Sequence, residues 1–215
     1  MSDEKTGSGW RGAHGLLLVA LMALVGSVPL FRRWPWFWVA VLSGYLVVVA
    51  ITPVLRRTFS RWRFGTASPE SIMAAIVITF VSSLALVAFH VSVRPDVGEL
   101  QSQLPSASGT WLIAAALVFA IVNATLEELV FRGVLFGVAA PVFGQWPAIL
   151  ATAVFFGWGH MRGGYPPGML GALLASLYGV ALGYLRSRTG GLGLPILAHI
   201  GADLTIFTLL SRTSR

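Results

Sequence analysis

A small set of ionisable side chains lies well inside apolar stretches of this sequence, all of them in its second half. Such residues are rare in apolar helices, tend to face the interior of a helix bundle, and mark a functional site by default. A carboxylate and two imidazoles that converge in a low-dielectric cavity can activate water and stabilise a developing oxyanion. This chemistry hydrolyses amide bonds, and its candidate residues are Glu127, Glu128, Arg132, His160, His199 and Asp203.

The helical positions of the two adjacent glutamates predict different roles for them. Each residue turns an α-helix by about 100°, so Glu128 and Arg132, four residues apart, share a face and can pair. Glu127 lies about 140° around the axis from Arg132 and cannot easily share it. We therefore expect a structural ion pair between Glu128 and Arg132. We expect Glu127 to face a site, with Asn123 one turn before it on the same side.

Two histidines supply the second part of the candidate site. His160 ends the stretch ATAVFFGWGH, where Phe156 stands four residues before it and supports the ring from the same face. His199 and Asp203 are also four residues apart, so the acid can orient the imidazole, or both can face a shared ligand. Each feature alone is often structural, and their occurrence together favours a functional site.

A zinc site is the alternative use of the same residue types. One glutamate and two histidines can bind zinc and leave a fourth position open for water. The HExxH motif of many zinc peptidases is absent, which favours a site without metal. His14 and His90 lack partners at helical spacing, and we expect both to be structural.

Composition and hydropathy predict the elements that position these residues. Hydrophobic residues make up 56% of the 215 residues and charged residues only 11%, against about 25% in soluble domains, which points to a bilayer as solvent. We predict an all-α, polytopic transmembrane helix bundle with seven or eight spans. Residues 1–12 form a polar N-terminal tail, 13–109 form N-terminal transmembrane helices, and 110–211 form the catalytic helical core. The apolar runs cover 13–31, 36–55, 70–93, 111–138, 147–161, 168–185 and 194–211.

Local signals add detail to three regions. Ser68, followed by a proline, has the residue type of a helix N-cap. Run 111–138 would reach about 40 Å, longer than the hydrocarbon core of a bilayer. We expect it to emerge from the membrane or to break near Gly133 or Gly137. The tryptophans of WPWFW, residues 34–38, are typical of an interfacial aromatic belt.

The distribution of basic residues predicts the orientation of the helices in the membrane and argues against nucleic acid as a partner. The net charge is +7, and arginines concentrate in the 56–63 loop. The positive-inside rule puts this loop in the cytoplasm and the 94–110 loop outside. No soluble basic face of the kind that binds nucleic acid is visible, so membrane lipids are the expected partners of these arginines. The arginines of the loop are Arg56, Arg57, Arg61 and Arg63.

Three motifs, in order and with fitting separations, resemble those of a known family. EELVFR (127–132) is similar to its Glu-Glu-x-x-x-Arg motif, FGWGH (156–160) to its Phe-x-x-x-His motif, and HIGAD (199–203) to its His-x-x-x-Asn/Asp motif. The family is the CPBP group of intramembrane proteases. It includes the type II CAAX prenyl endopeptidases, also called Ras-converting enzymes, and bacterial Abi-type bacteriocin-immunity proteins.

The resemblance implies a membrane peptidase whose cavity opens toward the cytosol and the bilayer. By position, Glu127 corresponds to the catalytic glutamate, His160 to its partner on the water, and His199 with Asp203 to the oxyanion site. The eukaryotic enzymes carry Asn where this chain has Asp203, and an Asp side chain donates a hydrogen bond only when it is protonated. The glutamate mechanism is preferred over zinc, so we expect no cofactor.

Three functions stay open from the sequence. The first is an intramembrane endopeptidase that cleaves a membrane-associated protein or peptide substrate. The second is a non-catalytic bacteriocin-immunity or membrane scaffold protein. The third, a proton-coupled transporter, is disfavoured because no internal repeat is visible. The arginine-rich, lysine-poor composition favours a bacterial cell membrane, and the sequence leaves the oligomeric state open.

Overall fold

The computed structural model describes residues 2–59, 62–104 and 108–213, and within these ranges the secondary structure is helical throughout. A 3-10 turn, Pro29–Arg32, joins the first two helices, and a π-helical segment, Leu129–Leu135, joins α6 to α7. The predicted all-α architecture is therefore confirmed. The helices are α1 Ser2–Ser27, α2 Trp36–Ile51, α3 Pro53–Thr58, α4 Pro69–Val93, α5 Gly98–Gln101, α6 Thr110–Glu128, α7 Phe136–Phe143, α8 Gln145–Arg162, α9 Gly168–Thr189 and α10 Gly193–Thr213.

The length and apolar character of the helices support a multi-pass membrane protein. In the described part of the chain, 4 helices are long and apolar enough to span a bilayer, and Gly12–Ser27 and Trp36–Ile51 are shorter apolar helices. Such short helices reach about 24 Å, less than the roughly 30 Å of a hydrocarbon core. The count of seven spans is therefore not confirmed. The spanning helices are Pro69–Val93, Thr110–Phe143, Gly168–Thr189 and Gly193–Arg212.

Two helices extend beyond their predicted limits. Helix α1 begins at Ser2, so its backbone continues through the segment expected as a polar tail. The long apolar run does not break at Gly133 or Gly137, because helix Thr110–Phe143 is continuous. Its hydrogen-bond pattern is π-helical over Leu129–Leu135, directly after the two glutamates. Single π-helical turns within α-helices occur frequently at functional sites.

Small residues bring α8 and α9 close together. A Cβ atom added to Gly179 would lie 3.0 Å from the Ala153 Cα atom and 3.4 Å from Arg132 Nη2. A Cβ atom on Gly183 would lie 3.1 Å from the side chain of Ile149. Close backbone approach of this kind is how membrane helices associate without a hydrophobic driving force. This close approach places α9 beside Arg132, which lies in the π-helical segment between α6 and α7.

The predicted structural features of the N-terminal half are present. Ser68 caps α4, and its side chain accepts from the Ser71 backbone N–H at 3.3 Å. His14 hydrogen-bonds the Tyr45 hydroxyl at 2.8 Å through Nδ1 and the Thr58 hydroxyl at 3.0 Å through Nε2. These contacts tie α1 to α2 and α3, as expected of a structural histidine.

A hydrogen bond between distant segments marks each end of the bundle. At one end, the Leu192 backbone N–H donates to the Arg63 carbonyl at 2.8 Å. At the other, the loop end, Gln101 Nε2 donates to the Leu210 carbonyl at 3.1 Å. Arg61 of the predicted cytoplasmic cluster lies outside the described residues. We name the first end the arginine end, since it carries Arg56, Arg57, Arg63, Arg186 and Arg188.

Candidate functional site

The predicted ion pair of the first motif forms the buried base of the site. Arg132 Nη1 lies 2.8 Å from Glu128 Oε1, and both side chains are fully buried. Arg132 Nη2 donates to the Gly179 carbonyl at 3.0 Å, and its guanidinium carbon lies 5.0 Å from the centre of the Phe156 ring. This arginine therefore joins α6, α8 and α9. A buried charge of this kind is tolerated only when it is paired.

Glu128 has a second partner that the helical spacing did not reveal. His199 Nδ1 donates to the same Glu128 Oε1 atom at 2.8 Å, across 71 residues of sequence. The expectation of a self-contained Glu128–Arg132 pair is thus incomplete, since the carboxylate is shared with α10. The other ring nitrogen, His199 Nε2, lies 3.7 Å from Glu127 Oε2 and 3.8 Å from Asp203 Oδ1. Glu128, rather than Asp203, therefore orients the imidazole.

Glu127 turns away from the ion pair, as its helical angle predicted. Its Oε1 atom accepts from Trp38 Nε1 at 3.1 Å and from Asn123 Nδ2 at 3.3 Å. Its Oε2 atom is buried and has no hydrogen-bond partner among the residues that the structure describes. Asn123 lies on the same side of α6, as expected. The carboxylate therefore presents one saturated and one available oxygen.

Asn123 joins the two acids of the site. Its Nδ2 group donates to Asp203 Oδ2 at 3.1 Å as well as to Glu127. Its Oδ1 atom accepts from Trp34 Nε1 at 3.1 Å. Asp203 Oδ2 is therefore held as an acceptor in this arrangement.

His160 lies at the end of α8 with its ring fixed by the backbone. The His160 Nδ1–H donates to the Phe156 carbonyl at 3.0 Å, which leaves Nε2 with a lone pair. The two rings are 4.7 Å apart, so Phe156 supports the histidine as predicted. Phe156 also contacts His199 edge-on at 6.0 Å. The aromatic ring thus lies between the two imidazoles.

All four residues predicted as catalytic line one cavity of about 1680 Å³. They come from α6, α8 and α10, and residues of α1, α2, α4 and α9 complete the cavity wall. Glu128 and Arg132 are not part of the lining, which agrees with a supporting role. The cavity extends to Asp96 and Glu99 at the loop end, and most of its wall is apolar. The predicted catalytic residues are Glu127, His160, His199 and Asp203.

Tyr165 closes the cavity near His160 from the segment between α8 and α9. Its hydroxyl lies 2.9 Å from His90 Nδ1, and burial raises the pKa of this hydroxyl to about 12. The tyrosine therefore stays protonated at physiological pH and can donate to the histidine. His90 has the structural role that its isolated position predicted.

The sequence analysis did not identify two tryptophans as residues of the site. Trp34 and Trp38 were expected in an interfacial belt, but their indole N–H groups donate to Asn123 and Glu127. The belt prediction is therefore wrong for these two residues. Each hydrogen bond spans 89 residues of sequence, and no local spacing signals a contact at that distance. Trp36 between them is 56% exposed and fits the expected belt.

The arrangement of the donor side chains bears on the zinc alternative. In the described ranges, no group of three or more His, Cys, Asp or Glu side chains is arranged to hold a metal ion. The available Glu127 Oε2 atom and His199 Nε2 are 3.7 Å apart.

Comparison with known proteins agrees with the motif resemblance. Residues 109–205 match the family model of the type II CAAX prenyl endopeptidase Rce1-like proteins, and these residues contain all three motifs. The "Putative sulfate transporter YbaR" of Bacillus subtilis (strain 168) is 34% identical over 89 residues. That match covers 40% of this chain, and the chain spans only 16% of the length of that relative. No solved structure matches.

Proposed function

We propose that this chain, whose residues 109–205 carry the Rce1-like family match, is an intramembrane endopeptidase that hydrolyses a peptide bond with water activated by Glu127. The observation that carries the proposal is the convergence of Glu127, His160, His199 and Asp203 on one cavity. These four residues belong to three helices that are far apart in the sequence, so only the tertiary fold brings them together. Unrelated structural pairs have no reason to share a cavity wall.

The proposed reaction begins with a water molecule that donates to Glu127 Oε2 and His160 Nε2. Both atoms are acceptors, since Glu127 Oε1 is already saturated and the His160 Nδ1–H is used by the backbone. Two donated hydrogen bonds aim the lone pair of the water at the substrate carbonyl carbon. Glu127 takes the proton as the new C–O bond forms, which is general-base catalysis.

The oxyanion that forms next needs a donor in a place without solvent. Glu128 holds the His199 Nδ1–H, so the protonated imidazole presents Nε2–H toward the cavity. Three carboxylates, those of Glu128, Glu127 and Asp203, lie around this ring. When the tetrahedral intermediate collapses, the C–N bond breaks and Glu127 returns its proton to the leaving amine.

The substrate we propose is a membrane-associated protein or peptide, and the location a bacterial cell membrane. The cavity is large, its wall is mostly apolar, and it lies among helices long enough to span a bilayer. An apolar segment of a substrate would therefore be buried beside the cleaved bond. Neither metal nor cofactor is required for this mechanism.

The deciding experiment compares two carboxylate-to-amide variants of the purified protein on a quenched peptide library in nanodiscs. Glu127→Gln is expected to abolish hydrolysis, whereas Glu70→Gln, at the exposed start of α4, is expected to leave it unchanged. Both should elute and unfold like the parent. Full hydrolysis by Glu127→Gln would overturn the glutamate mechanism. No hydrolysis by the parent, with its cellular effect retained in Glu127→Gln, would favour the scaffold alternative.

A further inference from the structure

We propose that Trp38 is a positioning residue for Glu127, and that Trp34 acts on the same carboxylate through Asn123. This inference rests on the proposed function, because it concerns the base of that reaction. It assigns part of the site to α2, which lies outside the family match at 109–205.

The Trp38 indole determines which oxygen of Glu127 is available. Trp38 Nε1 lies 3.1 Å from Oε1, and Asn123 Nδ2 lies 3.3 Å from the same atom. Oε2 is left facing His199 Nε2 at 3.7 Å. Without the indole, rotation about the last side-chain bond could exchange the two oxygens. The contact therefore fixes the geometry that the attacking water meets.

An indole suits this task because it is a donor only. The Trp N–H group has no acceptor capacity and does not titrate in the physiological range. It can therefore hold a carboxylate without adding charge and without competing for the proton of the water. Its ring is itself fixed, since Trp38 packs edge-on against Phe131 at 5.9 Å and against Phe37 at 4.8 Å.

Trp34 fixes the orientation of the Asn123 amide. An amide can rotate by half a turn and exchange its oxygen with its nitrogen. Trp34 Nε1 donates to Asn123 Oδ1 at 3.1 Å, so the oxygen must face α2. The Nδ2 group then faces the Glu127 and Asp203 carboxylates, to which it donates. The flipped amide would present an oxygen to two carboxylates.

The two indoles reach α6 although helices α2 and α6 do not pack closely along their lengths. Helix α2 packs mainly on α1 and α3, and its contact with α6 is slight. The long indole side chains reach α6 from the cavity wall. Two donors from one short segment, placed on one hydrogen-bond network around the base, are best explained by their effect on that base.

A spectroscopic experiment tests the contact independently of activity. The protein is labelled with ¹⁵N-tryptophan in nanodiscs, and the Trp38 indole signal is identified by its loss in Trp38→Phe. A hydrogen bond to a carboxylate is stronger than one to an amide. We therefore expect the Trp38 indole proton to move upfield in Glu127→Gln, while the Trp36 signal stays. An unchanged Trp38 signal would refute the contact.

Kinetics test the positioning role. Trp38→Phe is expected to lower kcat by about ten- to a hundredfold, from the loss of one hydrogen bond to a charged group, with KM within twofold. Trp36→Phe, on the same helix, is the matched control and should retain parental kcat. Trp34→Phe should have a smaller effect, and none when added to Asn123→Ala. Parental kcat in Trp38→Phe would overturn the positioning role.

The two experiments separate the possible failures. If the parent hydrolyses no peptide and the indole signal still responds to Glu127→Gln, the proposed function fails and the contact stands. If the parent is active and Trp38→Phe is equally active, the function stands and the positioning role fails.

Discussion

His199 Nδ1 and Arg132 Nη1 both lie 2.8 Å from the same atom, Glu128 Oε1. One carboxylate oxygen therefore joins the cation that stabilises the helix packing to the imidazole that faces the cavity. The same oxygen atom therefore takes part in the buried ion pair and in the orientation of the imidazole. Glu127, one residue earlier, shares neither partner through a hydrogen bond.

Removing one member of the buried pair is expected to destabilise the protein strongly. Arg132→Met leaves Glu128 with His199 as its one remaining ionic partner among the described residues, and breaking a buried pair from one side costs about 3–5 kcal/mol. The double variant Arg132→Met/Glu128→Gln should lose less than the sum of the single variants, because neither charge is left alone. Thermal unfolding in detergent, monitored by tryptophan fluorescence, measures the difference. Additive losses would contradict the coupling.

His199 is expected to be needed for turnover more than for binding. His199→Gln removes the donor proposed for the oxyanion, and loss of such a donor lowers kcat by about a hundred- to a thousandfold. KM should change little. His90→Gln, which alters a histidine outside the cavity lining, should retain its kcat. The kcat of each variant is measured by steady-state hydrolysis. An equal loss of kcat in both variants would indicate an effect on the fold and would contradict a specific role of His199.

Metal removal is expected to leave the proposed peptide hydrolysis unchanged. The mechanism assigns the proton transfer to Glu127 and the oxyanion to His199, with no step that needs a Lewis acid. Dialysis against a strong chelator, followed by metal analysis and an activity assay, tests this. Loss of activity that added zinc restores would establish the zinc alternative instead.

Gly179 is expected to tolerate no side chain. Its Cβ atom would lie 3.0 Å from the Ala153 Cα atom, which is backbone and cannot move aside. Gly179→Ala should therefore destabilise the protein by about 1–3 kcal/mol through overpacking. Gly137→Ala is the control, because nothing lies within 4 Å of that position and alanine favours a helix. Unfolding midpoints that rank the other way would contradict this packing.

Orientation can be tested directly because the chain has no cysteine. The positive-inside prediction puts the arginine end in the cytoplasm, and the cavity extends to the opposite end. The family resemblance implies a cavity open to the cytosol, so these two expectations exclude each other. An impermeant maleimide applied to intact cells should label Ser102→Cys and spare Ala67→Cys if the arginine rule holds. The reverse pattern would support the cytosolic opening.

Sequence spacing predicted the parts of the site that lie within one helix turn. The Glu128–Arg132 pair, the Asn123–Glu127 contact and the support of His160 by Phe156 all follow from positions four residues apart. Contacts between helices could not be predicted, because they depend on tertiary packing. The sequence indicated an irregularity near Gly133, but it did not predict that the helix would continue through a π-helical segment, Leu129–Leu135, instead of breaking.

The long-range contacts explain the largest error of the sequence interpretation. A tryptophan-rich segment at a helix start has the composition of a membrane interface, and Trp36 conforms to it. The neighbouring indoles turn inward instead, because carboxylate and amide acceptors lie across the cavity. Residue type alone does not distinguish these two environments.

The two adjacent glutamates have different roles, and this difference predicts which of them diverging homologues should retain. Substitution of Glu128 disturbs the fold and the reaction together, so selection for folding alone is enough to retain it. Glu127 has a looser ionic contact, with His199 Nε2 at 3.7 Å, so its loss should end the proposed reaction with less effect on the fold. A lineage that has become a pseudoenzyme should therefore keep the second glutamate and lose the first.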